Sequence, residues 1–344
     1  MMILAKAEKE GRKMRFFGVF LLLQFCLFAY ENGDLNATKN EWVLERVNFY
    51  FENDIYTKTD DGYTAGERLS FLYYVPNDYA LYNYVFPKST STESYFTIAL
   101  TNQIFTPSDT DQIKLIVNDR PYAGWSYLDF GIHQSSNDTL HSLTLKVGLV
   151  GETSKSKEIQ NGFHEIIGND EVKGWDNQLN NEIGINLKYT YKWLYDLTLR
   201  NDFESSVIPF ASAEFGNVAI NATLGTVARF GWNIPRDFGV SSIDIGADPG
   251  IPICGQCERK TTWSFSFNMT LAGSVIARDI FLDGNTFSES HSVEKENFVY
   301  YSGLGFTLRY KKFIFDFIEI YNSKKFKLEK GGHGVGTLVC SWRF

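Results

Sequence analysis

Several things are scarce in this chain. Of its 344 residues, 4 are cysteine and 8 are proline. Past residue 30 no apolar run of roughly 18 residues or more remains. The few cysteines exclude a disulfide-stapled scaffold. The missing apolar run excludes a membrane-spanning helix. A basic excess is also lacking: 33 Lys and Arg stand against 41 Asp and Glu, for a net charge of −8. Nucleic acid is therefore a poor partner, because basic stripes supply most of that affinity. Local basic clusters still allow contact with anionic lipid. There is no GxSxG elbow, no HExxH, no phosphate-binding glycine loop and no paired CxxC of zinc type. The single CxxC, Cys254 and Cys257, reads as a small loop disulfide or two free thiols, and Cys340 as a small apolar filler.

The first thirty residues have the make-up of an export signal. Lys6, Lys9, Arg12, Lys13 and Arg15 precede a 15-residue apolar run, Phe16 to Tyr30. That length suits the apolar core of a cleaved leader better than a bilayer-spanning helix. We expect residues 1–30 to be removed near Ala29–Glu31, leaving a single domain over 31–344.

Aromatic residues make up 16% of the chain, and with scarce proline they favour strands. Period-2 alternation is widespread. Val47, Phe49 and Phe51 alternate with Arg46, Asn48, Tyr50 and Glu52, and Ile183, Ile185, Leu187 and Tyr189 with Gly184, Asn186 and Lys188. Similar segments lie near 64–75, 94–104, 123–133, 141–151, 205–216, 219–231, 262–276, 298–310, 312–322 and 334–344, about twelve in all. The polar face is rich in Ser, Thr, Asn and Gly, as a crowded lumen would be. The chain ends with Leu338, Cys340, Trp342 and Phe344 on one face. An exported, alternating chain with a terminal aromatic predicts an all-β transmembrane antiparallel barrel, whose closure pairs every backbone group. Long irregular stretches near 105–122, 152–180, 232–261 and 278–296 are where function is expected.

One of them breaks the period. Ile159, Phe163 and Ile167 recur every four residues, which predicts a short helix near 155–167 docked by that apolar stripe, with Ser154 at its start and Gly168 at its end. Gln160 and His164, spaced i, i+4, share a face. Asn169, Asp170 and Glu171 follow. A histidine, an amide and carboxylates together are suited to activating water. A second cluster, "ENDIYTKTDDGYTAGERLSF", gathers Glu52, Asn53, Asp54, Asp60, Asp61 and Thr64, oxygen donors of the kind hard cations take. "TDDGYT" is also ordinary turn chemistry. In "NDRPYAGW", Arg120 is placed either to hold a carboxylate or phosphate or to make a structural ion pair.

Together, "FENDIYTKTDDGYTAGERLSF", "TPSD", "NDRPYAGW", "IQNGFHEIIG", "GWDNQLNNEIGINLKY" and "RDIFLDGNTF" resemble the outer-membrane lipid A 3'-O-deacylase family, from about residue 45 to the end. The resemblance implies a twelve-stranded barrel in the bacterial outer membrane, acting on lipid A of lipopolysaccharide, with its site between the wall and an external helix. It implies a calcium-dependent hydrolase, with His164 as base and Gln160 beside it. Asn53, Asp54 and Thr64 would serve the metal, and Asp170 or Glu171 would be the acidic partner. Arg68 or Lys146, from the lumen face, or Arg120 would meet a substrate phosphate. A monomer is expected, without nucleic acid. The rival readings are an outer-membrane phospholipase A and a non-enzymatic channel or adhesin.

Overall fold

The computed structural model describes residues 41–54, 62–76, 80–87, 92–198, 203–243, 245, 249–253 and 262–344. Residues 1–40, which include the expected leader, and Asp60, Asp61, Cys254 and Cys257 lie outside them. Thirteen strand segments form one sheet: β1 (Val43–Asn53), β2 (Gly62–Val75), β3 (Glu93–Thr106), β4 (Ala123–Ser135), β5 (Thr139–Val150), β6 (Glu182–Trp193), β7 (Tyr195–Thr198), β8 (Phe203–Gly216), β9 (Ala219–Trp232), β10 (Trp263–Asp279), β11 (Phe298–Tyr310), β12 (Phe313–Asn322) and β13 (His333–Arg343). All neighbours are antiparallel. β1 pairs with β13, and β6 pairs with β8. β7 continues β6 past Leu194 and stays on β8, so the sheet closes as a twelve-strand barrel. Closure leaves no edge of unpaired backbone, the condition for strands to lie in lipid. Among the described residues no helix is long and apolar enough to cross a membrane. Among the described residues three short helices decorate the barrel: α1 (Ala80–Val85), α2 (Ser156–Ile167) and α3 (Ile280–Asp283).

Alternation sorts each strand into two faces. Leu145, Val147, Leu149, Ile183, Ile185, Leu187, Phe267, Met269 and Leu271 stand exposed outside, as an apolar belt does. Polar residues fill the inside, paired with one another. Arg68 donates to the Asp129 carboxylate, Lys146 Nζ lies 3.0 Å from Glu214 Oε1, and Arg229 Nη1 lies 2.6 Å from Asp237 Oδ1. Burying such charges is tolerable only as satisfied pairs.

Asp237 belongs to the β9–β10 connection, which turns into the lumen. Its Phe238, Ile243, Ile251 and Ile253 are buried against inward residues such as Tyr50, Leu72, Tyr95 and Val339. Lumen polar groups tie it down: Asn48 Nδ2 donates to Pro249 O at 3.4 Å, Lys188 Nζ to Ile245 O at 2.8 Å and Lys192 Nζ to Phe238 O at 3.2 Å. The alternation that predicts the strands says nothing of this plug, because its backbone is irregular and its partners are distant in sequence.

The start of β1 and the end of β13 meet at one rim. The opposite rim carries residue 54 and the connections 107–122, 151–181, 217–218, 280–297 and 323–332. Longer loops face outward in outer-membrane barrels, so this second rim is the extracellular one.

Candidate active site at the outer rim

α2 spans Ser156–Ile167, close to the predicted limits. Gly168 ends it in the left-handed region, φ 79°, with its N–H bonded back to the helix. Its start differs from expectation. The N-cap residue is Lys155, also left-handed, with no side-chain cap. Ser154 sits one residue earlier, in a 3-10 turn, and its Oγ accepts from Ser156 N at 3.3 Å.

The docking face also differs. Of the expected stripe, Ile159 is exposed at 39% while Phe163 and Ile167 are half-buried, whereas Ser156 and Gln160 are buried at 1% and 4%. Only Phe163 of the expected stripe makes an aromatic contact with the wall, its ring centroid 5.7 Å from that of Phe51. The helix therefore covers the barrel with a polar stripe, Ser156, Gln160 and His164, one residue per turn. The wall beneath is polar too. Asn102 Nδ2 donates to Ser156 Oγ at 2.8 Å and to Ser126 Oγ at 2.7 Å. A face of polar residues finds partners only where the wall supplies them, and that correlation is not visible from periodicity alone.

His164 stands at the open end of the stripe, half-buried. Its Nδ1 lies 2.8 Å from Asp170 O. Gln160 Oε1 accepts from Trp175 Nε1 at 2.9 Å. Trp175 packs on Tyr122, with ring centroids 5.2 Å apart, in a cluster with Ala65, Ile104 and Val172. Burial, with Asp109 adding to it, pushes the Tyr122 phenol up to about 12, so it stays neutral. The connection that carries α2 is thus clamped to β2, β3 and the start of β4.

The other sequence candidates divide. Asn53 ends β1 and Asp54 follows it, buried at 3%. Thr64, in the bulged start of β2, shares a 2.6 Å hydrogen bond with Thr106 Oγ1. Asp170 and Glu171 are exposed, and Glu171 Oε1 accepts from Asn161 Nδ2 at 3.2 Å. Glu52 proves to be a lumen residue rather than a member of the outer oxygen cluster. Arg68 and Lys146 are also lumenal, each held by its own carboxylate. Arg120 is 1% exposed, its guanidinium 5.7 Å from the Phe105 ring and 5.9 Å from that of Phe326, and its three nitrogens have no hydrogen-bond partner.

The remaining histidines are engaged elsewhere: His133 with Thr97 and Ser142, His141 with Tyr189, His291 with Asp119 O and His333 with Tyr63 O. A cleft of about 550 Å³ opens beside α2, lined by Glu158, Asn161, Glu171, Trp175 and Asp176. His164 does not line it, so it holds no candidate base. Among the described residues no three His, Cys, Asp or Glu side chains converge as a metal cluster.

Sequence reasoning missed Glu67 and Asn102, which lie on the wall along the path of α2.

The family model described as outer membrane protein LpxR matches residues 16–344. The solved structure of LpxR from Salmonella typhimurium superposes with a TM-score of 0.72 at 16% identity, covering 87% of this chain and 100% of that one. At that identity the likeness is one of fold. The β domain of the Bordetella autotransporter BrkA gives 0.38 at 8% identity, covering 88% and 97%. The translocator domain of NalP from Neisseria meningitidis gives 0.39 at 11%, covering 96% and 97%. Neither score bears on the argument. No curated protein matches the chain by sequence.

Proposed function

The chain belongs to the LpxR family of outer membrane proteins, the lipid A 3'-O-deacylases, and from that premise we propose that it hydrolyses the ester links of the 3'-linked acyl chains of lipid A in the outer leaflet. The observation that carries the reading is the bond from His164 to Asp170 O, made on a helix laid across a polar stretch of the outer wall. A carbonyl only accepts, so Nδ1 carries the hydrogen and Nε2 keeps its lone pair. In this reading Nε2 takes a proton from water as the water attacks the ester carbonyl, then returns it to the departing sugar alkoxide. Gln160, fixed by Trp175, keeps the helix at its height over the wall. A site on the outer face receives an acyl chain sideways from the leaflet, so the chain need not pass through water.

The donors at the end of β1 are all oxygens. Asp54 brings a buried carboxylate, and Asn53 and Thr64 bring amide and hydroxyl oxygens. That set suits a hard cation, which takes carboxylate, carbonyl and water oxygens together. Asn53, Asp54 and Thr64 would hold calcium there. When bound, the ion would supply positive charge to offset the negative charge that grows on the ester carbonyl oxygen.

The filled lumen speaks against a channel. The plug occupies it, and the gap left between plug and wall at Lys188, Lys192 and Ser242 measures about 30 Å³.

The test is mass spectrometry of lipid A from cells expressing the wild type or His164→Ala, each with and without a calcium chelator. Loss of acyl mass only with the wild type and free calcium is the expected result. Deacylation by a folded His164→Ala barrel would overturn the assignment of the base. Activity indifferent to the chelator would overturn the metal. Cleavage of glycerophospholipid in place of lipid A would favour a phospholipase.

A further inference from the structure

The geometry points to Glu67 and Asn102 as a specificity recess in the outer wall, one that accepts a hydrogen bond from a hydroxyl or amide N–H carried by the lipid near the scissile ester. This rests on the reading that the site hydrolyses a lipid ester.

The two residues are direct partners in the β2–β3 ladder. Both face outward, because their neighbours Arg68 and Thr101 bond each other and Asp129 inside the lumen. Phe51 of β1 and Ser126 of β4 complete a row across the wall: Phe51, Glu67, Asn102, Ser126. α2 lies along that row. Its Ser156 bonds Asn102, and seven residues later its Phe163 meets Phe51. Seven residues of helix advance about 10 Å. Two strand spacings, from β3 to β1, also make about 10 Å. The middle of the helix, around Gln160, therefore passes over β2 at Glu67.

Asn102 cannot be turned round. The Ser126 hydroxyl gives its single hydrogen to Ser154 O at 2.7 Å, so toward Asn102 it can only accept. That fixes Nδ2 on the β4 side and leaves Oδ1 toward β2. Asn102 is 8% exposed, and its Oδ1 is buried with no hydrogen-bond partner. Glu67 Oε2 is buried and unpartnered as well. Two acceptors thus stand side by side under a helix, neither with a hydrogen bond in place. Buried acceptors are normally satisfied, and each one left unmet costs stability. A neutral donor group fits. It has two sources on an acylated amino sugar: a hydroxyl on the acyl chain, or the amide N–H beside the ester.

The test uses the full barrel folded in detergent micelles and esters matched in chain length. One pair differs in a hydroxyl on the acyl chain, and the other in an amide beside the ester. The wild type should prefer the donor-bearing member of one pair by about tenfold in kcat/KM, and the pair that shows it identifies the source. Glu67→Leu should lose that preference through KM and raise the denaturation midpoint, because an unmet acceptor has gone. Glu67→Gln, which keeps one acceptor oxygen, should retain part of the preference. An active Glu67→Leu with unchanged preference would overturn the recess alone. So would a lowered midpoint, which would mean that Glu67 carries a proton and bonds Asn102 as a structural pair. A wild type inactive on every ester would instead sink the hydrolase reading beneath it.

Discussion

His164 Nδ1 and the Asp170 carbonyl oxygen lie 2.8 Å apart across the end of α2. The histidine is in the last turn of the helix, and its partner lies six residues on, in backbone that has already reversed. Gly168 makes the reversal. With φ at 79°, its N–H is bonded to Glu165 O and His164 O, and the chain returns past the imidazole. The tautomer of the candidate base is therefore set by backbone rather than by a neighbouring side chain.

Gly168 is the cheapest place to disturb that arrangement. A Cβ is disfavoured at positive φ, so Gly168→Ala should cost about 1 kcal/mol locally. Asn tolerates the region better, and Gly168→Asn should cost less. Because His164 is oriented from the returning segment, kcat should fall more for Ala than for Asn, with the denaturation midpoint of the barrel little changed. Equal kcat values for the two variants would show that the reversal does not set the base.

How much of this was legible in the sequence depends on the range of the interaction. Strand limits come from alternation, which is local, so Phe298–Tyr310 falls where "NFVYYSGLGFTLRY" places it. The helix and its histidine came from a local change of period. Which face of α2 is buried did not, because Ser156 and Gln160 are satisfied by Asn102 and Trp175, far away in the chain. Glu52 shows the same limit. It reads as one more oxygen in an acidic run, and only the folded barrel shows that its partners come from β2, the plug and β13.

Glu52 should thus be a stability residue rather than a metal ligand. It is fully buried and accepts from Tyr63 Oη at 2.7 Å, Ile243 N at 2.6 Å and Thr337 Oγ1 at 2.8 Å. Glu52→Leu would leave three buried donors unmet, at roughly 1–3 kcal/mol each before relaxation. A large drop in the urea midpoint is expected. Glu52→Gln keeps one acceptor oxygen and should fall in between. Calcium affinity of whatever fraction folds should stay as in the wild type. A Glu52→Gln barrel of normal stability that had lost calcium would reverse this assignment.

The plug leads to a prediction about conductance. A twelve-strand barrel has room inside for water unless something fills it. Here the filling is a periplasmic-side connection, pinned at Asp237 by Arg229, at Phe238 by Lys192, at Ile245 by Lys188 and at Pro249 by Asn48. The wild type should show no steady conductance in a planar bilayer. Replacing residues 236–253 by a short Gly–Ser turn should open a pore. It should also destabilise the barrel, since Arg229, Lys188 and Lys192 would each lose an acceptor in a confined lumen. Water entering the emptied lumen would solvate those cations and return part of the loss, so a folded, conducting barrel is the expected product. Arg229→Ala is the milder version: it strips one anchor, leaves Asp237 without that cation, and should give brief openings rather than a steady current. A wild type that already conducts would mean that the connection does not stay inside the lumen, and the argument against a channel would fall with it.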